Sequence, residues 1–367
     1  MLIKKNPCLY SKKSINIGLV YKFIKKLRTM KLRILFYFMF ISVLSSCSSL
    51  SEETPSISIT SDKSTIQVGE TVTFTVVDSE DVNITSQSVI LIDGNSIAGS
   101  TFVPLQAKTY EATSSYESLV SNKIIITATL PSSFSKKAVV EDFTGTWCGW
   151  CPRLSYAASL VEEQTDKVFV VGVHLDYGDP MENDFGIALK TEFSISGFPT
   201  AYIDRANKWQ GNQPSNIEQA LNAAEGTVNV GLAIESSLTG SVLDFKVYQG
   251  FLENMTDVKL VVYVLEDGIL ANQVNYTSYY GGVGSSGVST IVNFEHNGVL
   301  RYAATDVMGD PTTSTAGVHE KSYSVDLSSY DVLVPENTGV LAMLVDDSGR
   351  VLYNAQYVIS GQNQDFD

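Results

Sequence analysis

Between Ile57 and Leu130 apolar and polar residues alternate, as in SISIT, TVTFTV, SVILID, TYEATS and KIIITATL, and turns such as VGE and DGN separate the runs. A period of two sends successive side chains to opposite faces of a strand. Short strands with regular turns predict an all-β, immunoglobulin-like sandwich over residues 54–130. LPSSFSKK, from Leu130, reads as a linker by its proline, serine and charge. The pattern then changes. AVVEDF (138–143) and VFVVGVHLD (168–176) are continuous apolar runs that predict buried strands. Leu154, Ala157, Ala158 and Val161 fall at helical spacing, as do Phe185, Ala188, Leu189 and Phe193. PTAYID and KWQ suggest a short hairpin around Arg205 to Asn207. SNIEQALNAAEG predicts a third helix, opened by a capping box of Ser215 and Glu218 and stopped at Gly226.

The order strand, helix, strand, helix, strand, strand, helix predicts an α/β domain over residues 138–226. From Thr227 the period of two returns in VNVGLAIES, LDFKVYQ, VKLVVYVLED, KSYSVDL, GVLAMLVDD and RVLYNAQYV, with DSG (347–349) as a turn. A second β-sandwich is expected over residues 227–367. YYGGVGSSGVS (279–289) reads as a loop. The expected fold class is multidomain: an all-β immunoglobulin-like sandwich, an α/β domain, then a C-terminal β-sandwich.

Charge changes the reading of the N-terminus. Residues 1–46 hold ten Lys and Arg and no acid, which leaves 15 bases against 40 acids from Cys47 onward, a net charge of −25. Such a surface repels nucleic acid, and no nucleic-acid partner is expected. MKLRILFYFMFISVLSSC (30–47) has a basic start, an apolar run from Ile34 to Leu44 and then small residues. The run is short of the roughly 20 residues of a membrane span and reads as a secretory signal. Its ending, Leu44-Ser45-Ser46-Cys47, resembles a bacterial lipobox. That implies a leader and lipoprotein signal peptide over 1–46, lipidation of Cys47, a tether over 47–53 and membrane attachment through the lipid. Ser51-Glu52-Glu53 in that tether looks like an acidic surface-export signal or is an ordinary solvated linker.

With Cys8 in the leader and Cys47 lipidated, only Cys148 and Cys151 of the four cysteines are left as free thiols. In EDFTGTWCGWCPRLSYAASL (141–160) they could be a redox dithiol, half of a zinc site or two core thiols. Zinc needs about four ligands, and His174, His296 and His319 are scattered, so no metal is expected. His174 reads as a strand-end residue, His296 and His319 as loop residues. A CxxC pair opening a helix has a chemical use: orphan N–H groups and the helix dipole stabilise a thiolate on the first cysteine. Pro152 suits the first turn, Gly149 permits close approach, and Trp147 and Trp150 flank the sulfur.

VVEDFTGTWCGWCP together with FSISGFPTAYID resembles the thioredoxin superfamily across residues 138–226. The resemblance implies a thioredoxin-like α/β fold and a redox-active disulfide, with no other cofactor. Cys148 would be the nucleophile, Cys151 the resolving thiol and Asp142 a buried acid accepting its proton. Phe198-Pro199 would be a cis peptide, and Trp147, Gly149, Trp150, Phe198, Pro199 and Thr200 would meet the substrate. Pro152 departs from the usual basic residue after the second cysteine. The order of lipobox, immunoglobulin-like module, dithiol and a β-rich end containing FEHNGVLRYA resembles the outer-membrane-protein-twenty-eight family of Bacteroidetes lipoproteins. It implies outer-membrane anchoring, facing the periplasm or the cell surface.

Two function classes follow. One is an envelope-anchored thiol-disulfide oxidoreductase acting on protein or peptide thiols and disulfides, with a redox partner protein. The other is a non-catalytic surface binding or adhesion lipoprotein that uses its β-sandwiches, with the dithiol domain as scaffold. Tyr276, Tyr279 and Tyr280 would suit a glycan- or peptide-binding surface in the second.

Overall fold

A computed structural model of the chain describes residues 55–211, 213–281 and 289–367. The leader, Cys47 and the tether over 47–53 lie outside the described residues. At the N-terminal end, the alternating runs form two sheets. Ile57–Ser61, Val72–Asp78 and Thr101–Phe102 make one; Thr65–Gln67, Ile124–Thr129, Thr109–Tyr116 and Val89–Ile92 lead the six-stranded other. Inward positions of both, among them Ile59, Phe74, Val76, Ile90 and Ile126, are buried in one shared core.

Beyond Leu130 the expected series of a closed α/β domain followed by a separate sandwich is overturned. The strands Ala138–Thr144, Val168–His174 and Thr200–Ile203 do not form a sheet of their own. They are one part of a nine-stranded sheet that continues through Val299–Ala303, Lys259–Glu266, Thr338–Val345 and Leu352–Ile359. Three α-helices occur among the described residues: α1 (Pro152–Glu162), α2 (Asp184–Glu192) and α3 (Glu218–Ala223). The described residues are mostly β, and no thioredoxin-like domain stands apart among them.

The join has a local cause. Val299–Ala303 lies parallel to Val168–His174, with Gly172 opposite Val299, and the Gly172 N–H donates to the Gly298 carbonyl at 2.8 Å. Gly298 has φ +62°, and a β-carbon there would overlap the Val170 carbonyl oxygen. Glycine is required by both the backbone conformation and the approach. Periodicity reports which residues are strand but not which strand lies beside them, so this neighbour was invisible.

Burial on both faces explains why the central runs lack alternation. In Lys259–Glu266, Val261, Tyr263 and Leu265 pack with Leu189 and Phe193 on the α2 side. Leu260, Val262 and Val264 pack with Leu232, Phe245 and Val247 of a four-stranded sheet on the other side. Thr338–Val345 divides likewise, Leu341 and Met343 against Val340 and Ala342. In Ala138–Thr144, Val139 and Phe143 take the α2 side, whereas Ala138 and Val140 pack with Leu154, Ala157 and Ala220 of α1 and α3.

Several local expectations also change. Ile217, not Ser215, occupies the N-cap position of α3; the Ser215 hydroxyl donates instead to Asn216 Oδ1 at 2.8 Å. His296 ends the strand Ser289–His296 and His319 lies within Gly317–Asp326, so neither is a loop residue. In YYGGVGSSGVS, Tyr279–Gly281 forms a 3-10 turn and residues 282–288 lie outside the described residues.

The short hairpin around Arg205 bolts the sheet together. Arg205, buried with φ +66°, places Nε 3.3 Å from Glu141 Oε2, and both side chains have no solvent exposure. Its Nη2 donates to the Val307 carbonyl at 2.8 Å and to Tyr263 Oη at 3.4 Å. Burial pushes the Glu141 carboxyl up, and the Arg205 charge opposes that shift. Arg205→Met strands Glu141 without its ion-pair partner. The expected loss is about 3–5 kcal/mol in urea denaturation, with the Glu141→Leu/Arg205→Met double variant recovering much of it.

Candidate dithiol site and its cover

The strand Ala138–Thr144 sends Glu141 towards α2 and therefore Asp142 towards α1. It ends in the turn carrying the cysteines. The Cys148 N–H donates to the Gly145 carbonyl at 2.9 Å and the Cys151 N–H to the Cys148 carbonyl at 3.2 Å. Pro152 is the first residue of α1, where its missing N–H leaves no bond unmade. Cys148 and Cys151 form a disulfide of 2.03 Å and are only 4% and 1% exposed.

Trp147 donates its indole N–H to the Leu175 carbonyl at 2.8 Å, and its ring meets Tyr177 and Phe198 edge-on at 4.4 and 5.2 Å. Phe198-Pro199 is a cis peptide, and the Thr200 hydroxyl donates to the Gly197 carbonyl at 2.8 Å. Thr200 opens the strand opposite Phe143. The fold thus gathers Trp147, Cys148, Gly149, Trp150, Cys151 and Phe198 at one end of the sheet, with Pro199 and Thr200 next in the chain.

Asp142 is buried, and one carboxylate oxygen, Oδ1, has no hydrogen-bond partner among the described residues. Burial raises its carboxyl to about 8. It borders a cavity of about 120 Å³ shared with Ser155 and Ser159 of α1, His174, His296 and Glu295. His174 Nδ1 is 3.1 Å from Asp179 Oδ2, which also accepts the Thr146 N–H at 2.6 Å. Burial would raise Asp179, but His174 and the N–H groups of Thr146 and Met181 outweigh it and hold the carboxylate below its usual range. His296, edge-on to His174 at 4.9 Å, is pushed down to about 3 by burial and by His174. It is neutral at any ordinary pH.

A second element, unread in the sequence, docks on the cysteine loop. The strand Ile269–Asn275 pairs with Ser289–His296 as a two-stranded arm. From it, Gln273 Nε2 donates to the carbonyls of Cys148 at 3.0 Å and Gly145 at 3.3 Å. The Val274 N–H donates to the Thr146 carbonyl at 2.8 Å and the Tyr276 N–H to the Gly149 carbonyl at 2.7 Å. The Tyr276 ring lies so close to Gly149 that a β-carbon there would overlap it, and it meets Trp150 edge-on at 5.9 Å. Tyr279 stacks on Tyr156 of α1 at 4.7 Å, with Tyr280 edge-on to the same ring. Tyr276 thus packs on the cysteine loop and Tyr279 and Tyr280 on α1, with Tyr280 itself left exposed. Their clustering was the only sequence signal of the arm.

Residues 187–364 match the family described as outer membrane protein Omp28. The matched span opens inside α2, after both cysteines, and crosses into the strands that follow. No curated protein matches the chain. Among solved structures, HBP35 of Porphyromonas gingivalis is similar at 21% identity with a TM-score of 0.46, covering 63% of this chain and 77% of that one. A DUF4785 family protein from Legionella pneumophila aligns at 9% identity with a TM-score of 0.17, over 84% of this chain and 55% of its own. Neither score carries a conclusion about function. The match over residues 187–364 supports an outer-membrane localisation for this chain.

Proposed function

We propose that this protein is a non-catalytic binding lipoprotein of the outer membrane, anchored through Cys47, in which the Cys148–Cys151 disulfide is a structural clasp. The observation that carries this reading is the burial of both cysteines at a loop to which the arm is hydrogen-bonded from Gly145 to Gly149. An exchanging sulfur has to meet an attacking thiolate, so reactive cysteines are partly exposed. The extensive sheets supply binding surface, and the dithiol segment fixes one end of the largest sheet.

A second reading has one observation in its favour. Asp142, whose carboxyl burial raises to about 8 behind α1, titrates close enough to neutral pH for its ionised form to take a proton from a resolving thiol. In that reading Cys148 forms a mixed disulfide with a protein or peptide substrate, Cys151 displaces the substrate, and a redox partner protein resets the pair.

Mild reduction of the native protein followed by alkylation separates the two. The clasp reading expects no labelling of Cys148 until urea unfolds the chain, and no insulin reduction by wild type or Cys148→Ser. Rapid labelling of Cys148, with insulin turnover lost in Cys148→Ser, overturns it.

Asp142 also makes a stability prediction independent of function. An unfolded aspartate ionises near its ordinary value of 3.8, whereas the folded one holds its proton to about 8. Between those values the unfolded state has released a proton that the folded state keeps. The stability contribution is therefore full below the unfolded value and is lost as pH rises through about 8. Asp142→Asn is expected to gain on wild type from pH 4 to pH 8, by on the order of a few kcal/mol at the upper end, read by denaturant midpoints at each pH. A constant offset across that range refutes the burial account.

A further inference from the structure

We infer that the arm Ile269–Tyr280 is a hinged cover for the disulfide, and that its docking and the redox state of Cys148–Cys151 are coupled. This rests on the clasp reading of the site. The arm contributes four hydrogen bonds to the cysteine loop, all of them received by the carbonyls of Gly145, Thr146, Cys148 and Gly149. The Cys148 and Gly149 carbonyls lie within the ring that the disulfide closes, and those of Gly145 and Thr146 in the turn that leads into it. The arm therefore reads the loop's conformation through its backbone.

Its own architecture suits movement. The strands Ile269–Asn275 and Ser289–His296 pair with each other and with no other strand among the described residues. An isolated two-stranded ribbon is marginal by itself, so its position depends on what it docks against. Both ends enter rigid sheet strands through glycine, Gly268 at φ +74° and Gly298 at φ +62°. A crossed pair of hydrogen bonds closes that base: the Gly268 N–H donates to Asn297 Oδ1 at 2.7 Å and the Gly298 N–H to Asp267 Oδ1 at 2.6 Å. Ile269 packs there with Met181 and Val299. The base is pinned, and the far part is held by Gln273, Val274, Tyr276 and Tyr279.

Reduction then requires the arm to leave. A thiolate of an external dithiol must approach one sulfur along the S–S axis, and neither cysteine is more than 4% exposed. Attack forms a mixed disulfide and releases one protein thiolate. The reductant's second thiol displaces the other. The reductant ends as a disulfide, and the protein gains two electrons and two protons as two thiols. With the covalent ring opened, the Cys148 and Gly149 carbonyls lose that constraint, and two of the four bonds that hold the arm weaken. Linkage makes the effect reciprocal: loosening the arm favours reduction, and reduction loosens the arm.

The test compares wild type with Tyr276→Ala, Gln273→Ala and Tyr279→Ala. Reduction by dithiothreitol is followed through mass-detected alkylation, on variants whose circular dichroism and melting show a retained fold. Tyr279 touches α1 and not the cysteine loop, so Tyr279→Ala probes docking from a distance. Each variant is expected to be reduced roughly tenfold faster than wild type, the factor for losing one or two ordinary contacts from the closed state. In unmodified protein, amide exchange at Val274 and Tyr276 is expected to quicken by a similar factor after reduction. If wild type is slow and folded variants are equally slow, or exchange is unchanged by reduction, the cover is overturned and the clasp reading stands. If wild type is reduced as fast as a short peptide carrying the same Cys-Gly-Trp-Cys disulfide, the clasp reading falls with it.

Discussion

The Arg205 guanidinium sits away from water among groups drawn from both halves of the nine-stranded sheet. Glu141 comes from the strand leading into the dithiol, whereas Tyr263 and the Val307 carbonyl come from residues far downstream. The Phe193 ring of the segment ending α2 lies 5.4 Å from the guanidinium carbon. Stripping a cation of solvent is costly, and the cost is offset only when every partner is in place. A one-residue slip of the Ala138–Thr144 strand would turn Glu141 away from Arg205 and bring Asp142 into its place. The orientation of Asp142, and with it the chemistry beneath α1, follows from this one buried pair.

The loop that carries the cysteines is held from two sides. At its front, Asp179 takes the Thr146 N–H while bonded to His174, so a charged carboxylate anchors the backbone without exposing charge. At its back, Gln273 spends its amide on two loop carbonyls. His296 closes the neighbouring cavity as a neutral ring. A backbone fixed by polar groups on both sides and by Trp147 and Tyr276 above it is stiff in a way that a helix start alone is not.

Much of this was legible from local pattern. The helical spacing of Leu154, Ala157, Ala158 and Val161 marks the face that α1 buries. The turn around Arg205 and the pairing either side of DSG also appear where expected. Asp142 could be singled out by its place near the end of its strand, six residues before Cys148, and by the resemblance that the motif carries. What could not be read is partnership across distance. Gln273 and Cys148 are 125 residues apart in sequence, and nothing near either encodes the contact. KLVVYVLE looks like a sandwich strand and is one on its Val262 face, but its Tyr263 face belongs to the layer that includes α2. A single period cannot say that two different cores lie on either side.

The contact between Gly149 and the Tyr276 ring has a consequence for how this chain can change over time. The two residues between paired cysteines are ordinarily free to vary and so to adjust the pair's chemistry. Here the first of them cannot acquire a side chain while a large ring occupies position 276. Any drift at one site demands a compensating loss of volume at the other, more than a hundred residues away. Relatives that share the arm should therefore vary at these two positions together, and those that have lost it should vary at the first one freely.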